Sequence, residues 1–203
     1  MSSDAPCSGI PGEVRGLWTL HDMFGSLPWA DVVLPAVDIA YNGFPVNYQL
    51  VLHMDEFGSD IFTTDPSWAI DFAPNGTRLG IGDIITRKRY AAMLDAIAKH
   101  GAPAFYEGAI AQATIAALDR AAGIMTMDDL ANYAAIERQP VRITYRDYRL
   151  ASIGAPSGGI VTLNIMKTVE GYSDFGTSAS ANLSTFRLNE AFRFGYGAVG
   201  VPN

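Results

Sequence analysis

Pro140-Val141-Arg142-Ile143-Thr144-Tyr145-Arg146-Asp147-Tyr148-Arg149-Leu150-Ala151-Ser152-Ile153 is where the period of this chain changes. Val141, Ile143 and Tyr145 alternate with Arg142 and Thr144, a repeat of two that suits a half-buried strand. Tyr148, Leu150 and Ser152 resume after Arg146-Asp147. The stretch therefore predicts a β-hairpin with strands 140–145 and 148–153, the one clear strand signal in the sequence. Elsewhere apolar residues recur every three to four positions. The fold class that follows is mainly α with a small β-hairpin.

Downstream of the hairpin, Ser157-Gly158-Gly159 leads into a predicted helix over 160–170. Ile160, Val161, Leu163, Ile165, Met166 and Val169 wrap most of its circumference, which implies deep burial. Residues 171–182 are small and polar and read as a loop. A last helix over 182–197 carries Leu183, Phe186, Leu188, Phe192 and Phe194.

Upstream, Thr126 starts a short helix through Tyr133, and Asp128 and Asp129 sit in its first turn, where the helix dipole favours negative charge. An Ala-rich helix over 107–122 precedes it, closed by Gly123. The helix 87–99 repeats Tyr90, Leu94 and Ile97 and is given Thr86 as its cap. Residues 63–83 are dense in turn residues and read as a long loop with a short helix around Trp68. A weaker helix covers 46–57. Two helices open the chain, 13–25 and 28–42; Pro35 predicts a kink in the second.

The 203 residues are 49% hydrophobic and 17% charged, with a net charge of −7. One domain over 1–203 is expected, with a sizeable core. The low charged fraction implies a large core or apolar surface kept for a partner. Acidic balance disfavours nucleic acid, and Arg87-Lys88-Arg89 reads as a solvated helix start. Cys7 is the only cysteine, so no internal disulfide and no Cys-ligated zinc site is expected. The first residues resemble no signal peptide, and no apolar run reaches the length of a membrane span. Asn75 and Asn182 fit the glycosylation acceptor pattern, read as chance occurrences.

Several phrases occur in an unbroken order: Pro11-Gly12-Glu13-Val14-Arg15-Gly16-Leu17, Leu27-Pro28-Trp29-Ala30-Asp31-Val32-Val33-Leu34-Pro35-Ala36, Gly101-Ala102-Pro103-Ala104-Phe105-Tyr106-Glu107-Gly108, Gly123-Ile124-Met125-Thr126-Met127-Asp128-Asp129-Leu130-Ala131-Asn132-Tyr133 and Pro156-Ser157-Gly158-Gly159. Together they resemble the large-subunit region of the γ-glutamyltranspeptidase (glutathione hydrolase) family, from Pro11 to Pro202. The resemblance implies the helical part of an N-terminal-nucleophile hydrolase with αββα architecture, its central sheets mostly missing from this chain; the predicted elements themselves add up to about 50–60% helix. It implies γ-glutamyl transfer or hydrolysis of glutathione-type amides, with no metal or organic cofactor. In that chemistry a threonine freed by self-cleavage attacks, and its own α-amine is the base.

No phrase matches the family's nucleophile segment or the arginine that grips the substrate carboxylate. Thr63-Thr64, followed by Asp65-Pro66, is not offered as a nucleophile. The expected catalytic set on this chain is none, the substrate-binding set is unassigned, and this chain alone is expected to lack the family activity. Its expected partner is a small-subunit-like chain or a second copy of itself, which would make a dimer, with a small-molecule ligand as a further possibility. A compartment is not assigned, although family members are usually secreted or membrane-anchored. The alternative is a truncated stand-alone domain that binds a partner or ligand in the vacated cleft, or hosts a different small-molecule reaction there.

His21, His53 and His100 lie far apart with no ligand-spaced partners and read as structural or surface residues. Ser157-Gly158-Gly159 reads either as a tight turn or as an anion pocket at a helix start. Glu190 and Arg193 suit a surface ion pair. Trp18, Trp29 and Trp68 are expected to anchor the core.

Overall fold

The computed structural model describes residues 8–58 and 60–199. It is mostly helical, at 60%, and falls into two compact units that divide between Ala135 and Ile136.

The first unit holds nine helices among its described residues: α1 (Glu13–Phe24), α2 (Trp29–Asn42), α3 (Tyr48–Glu56), α4 (Ile61–Thr64), α5 (Pro66–Phe72), α6 (Lys88–His100), α7 (Pro103–Tyr106), α8 (Gly108–Arg120) and α9 (Met127–Ala131). α2 runs without interruption through Pro35 and packs along α6. Strands β1 (Phe44–Pro45) and β2 (Ile84–Ile85) pair antiparallel, Phe44 opposite Ile85. The hairpin is thus not the only β structure. Two-residue strands have no periodicity to read, and their partners lie some forty positions apart.

Local chemistry sets the helix starts. The Asn47 side chain accepts from the Leu50 N–H at 2.9 Å, and the Asp65 side chain accepts from the Ser67 N–H at 2.8 Å. Asp65-Pro66 read as a turn, but the same pair is a helix cap followed by a proline whose missing N–H costs nothing there. The expected short helix around Trp68 is α5, and the stretch 63–83 read as its loop also holds the end of α4. α9 begins with the capping box Thr126/Asp129. The expected Thr86 cap is not formed: Arg87 occupies the N-cap position and its side chain makes no capping bond. At the end of α8 the left-handed residue is Ala122, with φ 60°, rather than Gly123.

Two apolar clusters hold this unit. Val46, Met54, Phe62, Phe72 and Ile85 form one. Ala102, Tyr106, Ala111, Met125 and Leu130 form the other, with Trp18 packed against it. Trp68 is not a core anchor: it is 43% exposed, lying edge-on to Phe62.

In the second unit, β3 (Val141–Tyr145) and β4 (Tyr148–Ser152) form the expected hairpin, registered Val141 to Ser152 through Tyr145 to Tyr148. α10 (Gly159–Glu170) and α11 (Ala181–Val199) pack together, and α10 also lies on the hairpin. Val161, Ile165, Val169 and Ala191 make the core. A Cβ on Gly159 would lie 2.3 Å from Ser152 Oγ and 2.5 Å from the Ile153 carbonyl oxygen. That contact favours the tight-turn reading of Ser157-Gly158-Gly159, because α10 starts against the hairpin backbone. The loop 171–180 is tied down: Arg187 pairs with Asp174 at 2.7 Å, and the Gly176 N–H donates to Ser184 Oγ at 3.0 Å.

Candidate functional site

An apolar groove of about 490 Å³ in the first unit is lined by α1, α2 and α6. α1 supplies Val14, Leu17, Leu20 and Phe24, α2 supplies Val32 and Val33, and α6 supplies Leu94 and Ile97. The helical period turns Val14 and Trp18 of α1 inward, toward the cluster around Tyr106, and leaves the next stripe open. Leu17 is 51% exposed, Leu20 55% and Phe24 75%. A contiguous apolar face of this kind marks a contact surface.

Trp29 and His21 line the groove, and Trp18 packs beside Trp29. Trp18 and Trp29 meet edge to face at 4.9 Å. Trp29 Nε1 donates to the Ile97 carbonyl at 2.9 Å, tying α2 to α6. His21 lies 5.2 Å from the Trp29 ring, and its Nε2 is 2.9 Å from the Leu27 carbonyl oxygen. A carbonyl only accepts, so Nε2 carries the proton and is already engaged. Gly101, at the end of α6, has φ 71°, and a Cβ there would lie 2.5 Å from the Trp18 ring. Only glycine meets both conditions.

Behind α1, Tyr106 is fully buried. Its hydroxyl donates to the Pro11 carbonyl at 2.6 Å and accepts from the Arg15 N–H at 3.0 Å. The Arg15 guanidinium lies over its ring at 4.4 Å, and Tyr133 stacks on it at 5.8 Å. Burial pushes the Tyr106 hydroxyl above its ordinary pKa, partly offset by the Arg15 N–H and charge. The neutral phenol thus persists at any physiological pH and fixes the start of α1 beside the groove. Pro11, Arg15, Tyr106 and Tyr133 all fall in the quoted phrases. The sequence located those phrases but did not show that they converge.

The residues singled out from sequence are not brought together. Thr63 and Thr64 lie within α4, and their hydroxyls donate to the Asp60 carbonyl at 3.1 and 2.7 Å. His53 bonds Gln49 and Glu56 at 3.1 Å each, while His100 ends α6. Asp128 and Asp129 open α9, and Asp129 serves its capping box. Glu190 and Arg193 pair at 3.3 Å on the surface. Asn75 and Asn182 are exposed, and Cys7 lies outside the described residues. Among the described residues no group of three or more His, Cys, Asp or Glu could hold a metal ion, and no helix is long and apolar enough to cross a membrane. The groove offers a surface for binding, with His21 its one titratable side chain.

The γ-glutamyltranspeptidase family model matches residues 2–200, and the chain belongs to that family. It is 45% identical over 194 residues to a glutathione hydrolase of Aspergillus flavus, covering 94% of this chain and 33% of that protein. It is 48% identical over 199 residues to a glutathione hydrolase proenzyme of Arthroderma benhamiae, covering 97% and 34%. Among solved structures, the γ-glutamyltranspeptidase of Helicobacter pylori superposes with a TM-score of 0.84 at 28% identity, over 94% of this chain and 55% of that one. The Bacillus anthracis transpeptidase CapD gives 0.85 at 28% identity, over 95% and 65%. The chain spans about one third of the length of the curated relatives it matches.

Proposed function

We propose that this chain is the helical, large-subunit-like part of a γ-glutamyl transferase or hydrolase, and that it carries none of the catalytic groups itself. The reaction would transfer a γ-glutamyl group from a glutathione-type amide to water or an amino acid. The nucleophile would come from the part of the family's length that this chain does not span. The observation that carries this reading is the apolar groove between α1, α2 and α6 in a chain with one third of its relatives' length. Residues such as Leu20 and Phe24 stand open where a larger assembly would cover them. Each such side chain removed from water stabilises the covering contact by about 1.5–3 kcal/mol.

The test is release of anilide from a γ-glutamyl anilide, first by the purified chain and then after co-expression with the remaining two thirds of a glutathione hydrolase relative. No turnover alone and turnover in the pair support the proposal. Turnover by the chain alone overturns it.

The same groove favours a second reading, a stand-alone domain that covers its apolar face with another copy of itself. Sedimentation of the purified chain separates the two. A dimer that dissociates when Leu20 becomes serine supports self-association, and a monomer rejects it.

A further inference from the structure

We propose that the hollow at the start of α6, between α5 and the Arg87/Arg89 pair, binds a small monocarboxylate carrying a flat apolar group. The hollow holds about 430 Å³. Arg87, Arg89 and Asp71 provide its charge, and Trp68, Tyr90 and Met93 its apolar walls.

Both guanidinia are held in place, and one Arg87 nitrogen lacks a hydrogen-bond partner. Arg89 Nη2 donates to the Ser67 carbonyl at 2.8 Å and reaches Asp71 Oδ2 at 3.4 Å. Arg87 lies over the Tyr90 ring at 4.5 Å. Its Nε is buried without a hydrogen-bond partner, since the nearest Asp71 oxygen is 3.8 Å away, beyond hydrogen-bond reach. One carboxylate, 12% exposed, is thus shared between two arginines.

The helix end adds to the imbalance. Arg87, Lys88 and Arg89 stand at the positive end of a thirteen-residue helix that has no acidic residue in its first turn and no side-chain cap. Cations there oppose the helix dipole. Lys88 turns aside over Tyr41, at 5.8 Å. In a chain of net charge −7, this is a local positive excess that a bound anion relieves.

The charge count selects the anion. Two guanidinia and one aspartate leave one net positive charge, which matches a monoanion, whereas a phosphate dianion would also meet Asp71. A planar guanidinium fits a carboxylate in two parallel bonds. Trp68, with 43% of its surface exposed, offers a face for an aromatic body.

The experiment is an NMR titration of the full chain, reading the Nε–H signals of Arg87 and Arg89 and the Trp68 indole N–H. The probes are phenylacetate, phenylacetamide and inorganic phosphate. Phenylacetate is expected to shift all three signals saturably, with the amide and phosphate at least about tenfold weaker. Arg89→Gln is expected to weaken phenylacetate about tenfold, the loss of one charge-assisted contact. Asp71→Asn is expected to tighten it, which a merely structural role for Asp71 would not do. Equal response to acid and amide, phosphate binding as tight as phenylacetate, or unchanged binding in Arg89→Gln would each overturn the assignment.

Discussion

α10 buries Val161, Leu163, Ile165 and Val169, whereas α1, the same twelve residues long and also rich in apolar positions, has no fully buried residue. α10 meets a neighbour on each side, α11 and the hairpin. α1 turns Trp18 toward the cluster around Tyr106 and leaves Leu17, Leu20 and Phe24 open. Periodicity marks which side of a helix is apolar. It does not say whether this chain supplies the surface that covers it.

The contrast can be broken most forcefully in the core of the second unit. Ile165→Ala removes a side chain packed with Val161, Val169 and Ala191. It is expected to cost about 3 kcal/mol, measured by urea unfolding. Gly101→Ala tests the packing behind the groove. A methyl at φ 71° and 2.5 Å from the Trp18 ring is expected to cost about 2 kcal/mol, with Trp18 and Trp29 fluorescence reporting the displacement. Ala122→Gly runs the other way: the left-handed residue after α8 loses its strained Cβ, and a gain of about 1 kcal/mol is expected.

Acid sharpens the picture at α9. The Asp129 carboxylate accepts from the Thr126 hydroxyl and N–H, each at 2.8 Å, and these bonds hold its pKa below the ordinary aspartate value. A carboxylate depressed in the folded state contributes stability above its unfolded pKa and loses it as pH falls through the folded one. Asp129→Asn is therefore expected to flatten part of the acid limb of stability against pH, read from melting temperatures across the carboxylate range. The smallest effect belongs to the open face. Leu20→Ser is expected to change the stability of the isolated chain by less than about 0.5 kcal/mol, while abolishing whatever association the groove supports, measured by sedimentation. A loss comparable with that of Ile165→Ala would mean that α1 is buried after all.

The hairpin could be read almost to the residue because alternation and the Arg146-Asp147 turn lie within one short window. Arg146 does take the positive φ, 50°, that this turn demands. α10 and α9 were legible for the same reason: their signals are local. The short pairing of β1 with β2 was not, since neither Phe44-Pro45 nor Ile84-Ile85 has a pattern of its own. Asp65-Pro66 supports turn and helix start equally well, and the packing of Phe62 against Phe72 at 5.1 Å accompanies the helical outcome. The basic run Arg87-Lys88-Arg89 read as a solvated helix start. In the fold Lys88 and Arg89 are exposed at the start of α6, while Arg87 lies over Tyr90 and both arginines share Asp71. Asp71 and Trp68 lie in the loop segment with its expected short helix, and nothing in their spacing announced that contact.

The sequence by itself determined the family, the helical class and the hairpin, because each rests on residues that are neighbours along the chain. Only the tertiary structure decided which apolar stripes are covered, where Tyr106 anchors the start of α1, and that two arginines converge on one aspartate. Burial and charge pairing depend on surfaces brought together from distant positions, and no local period encodes that distance.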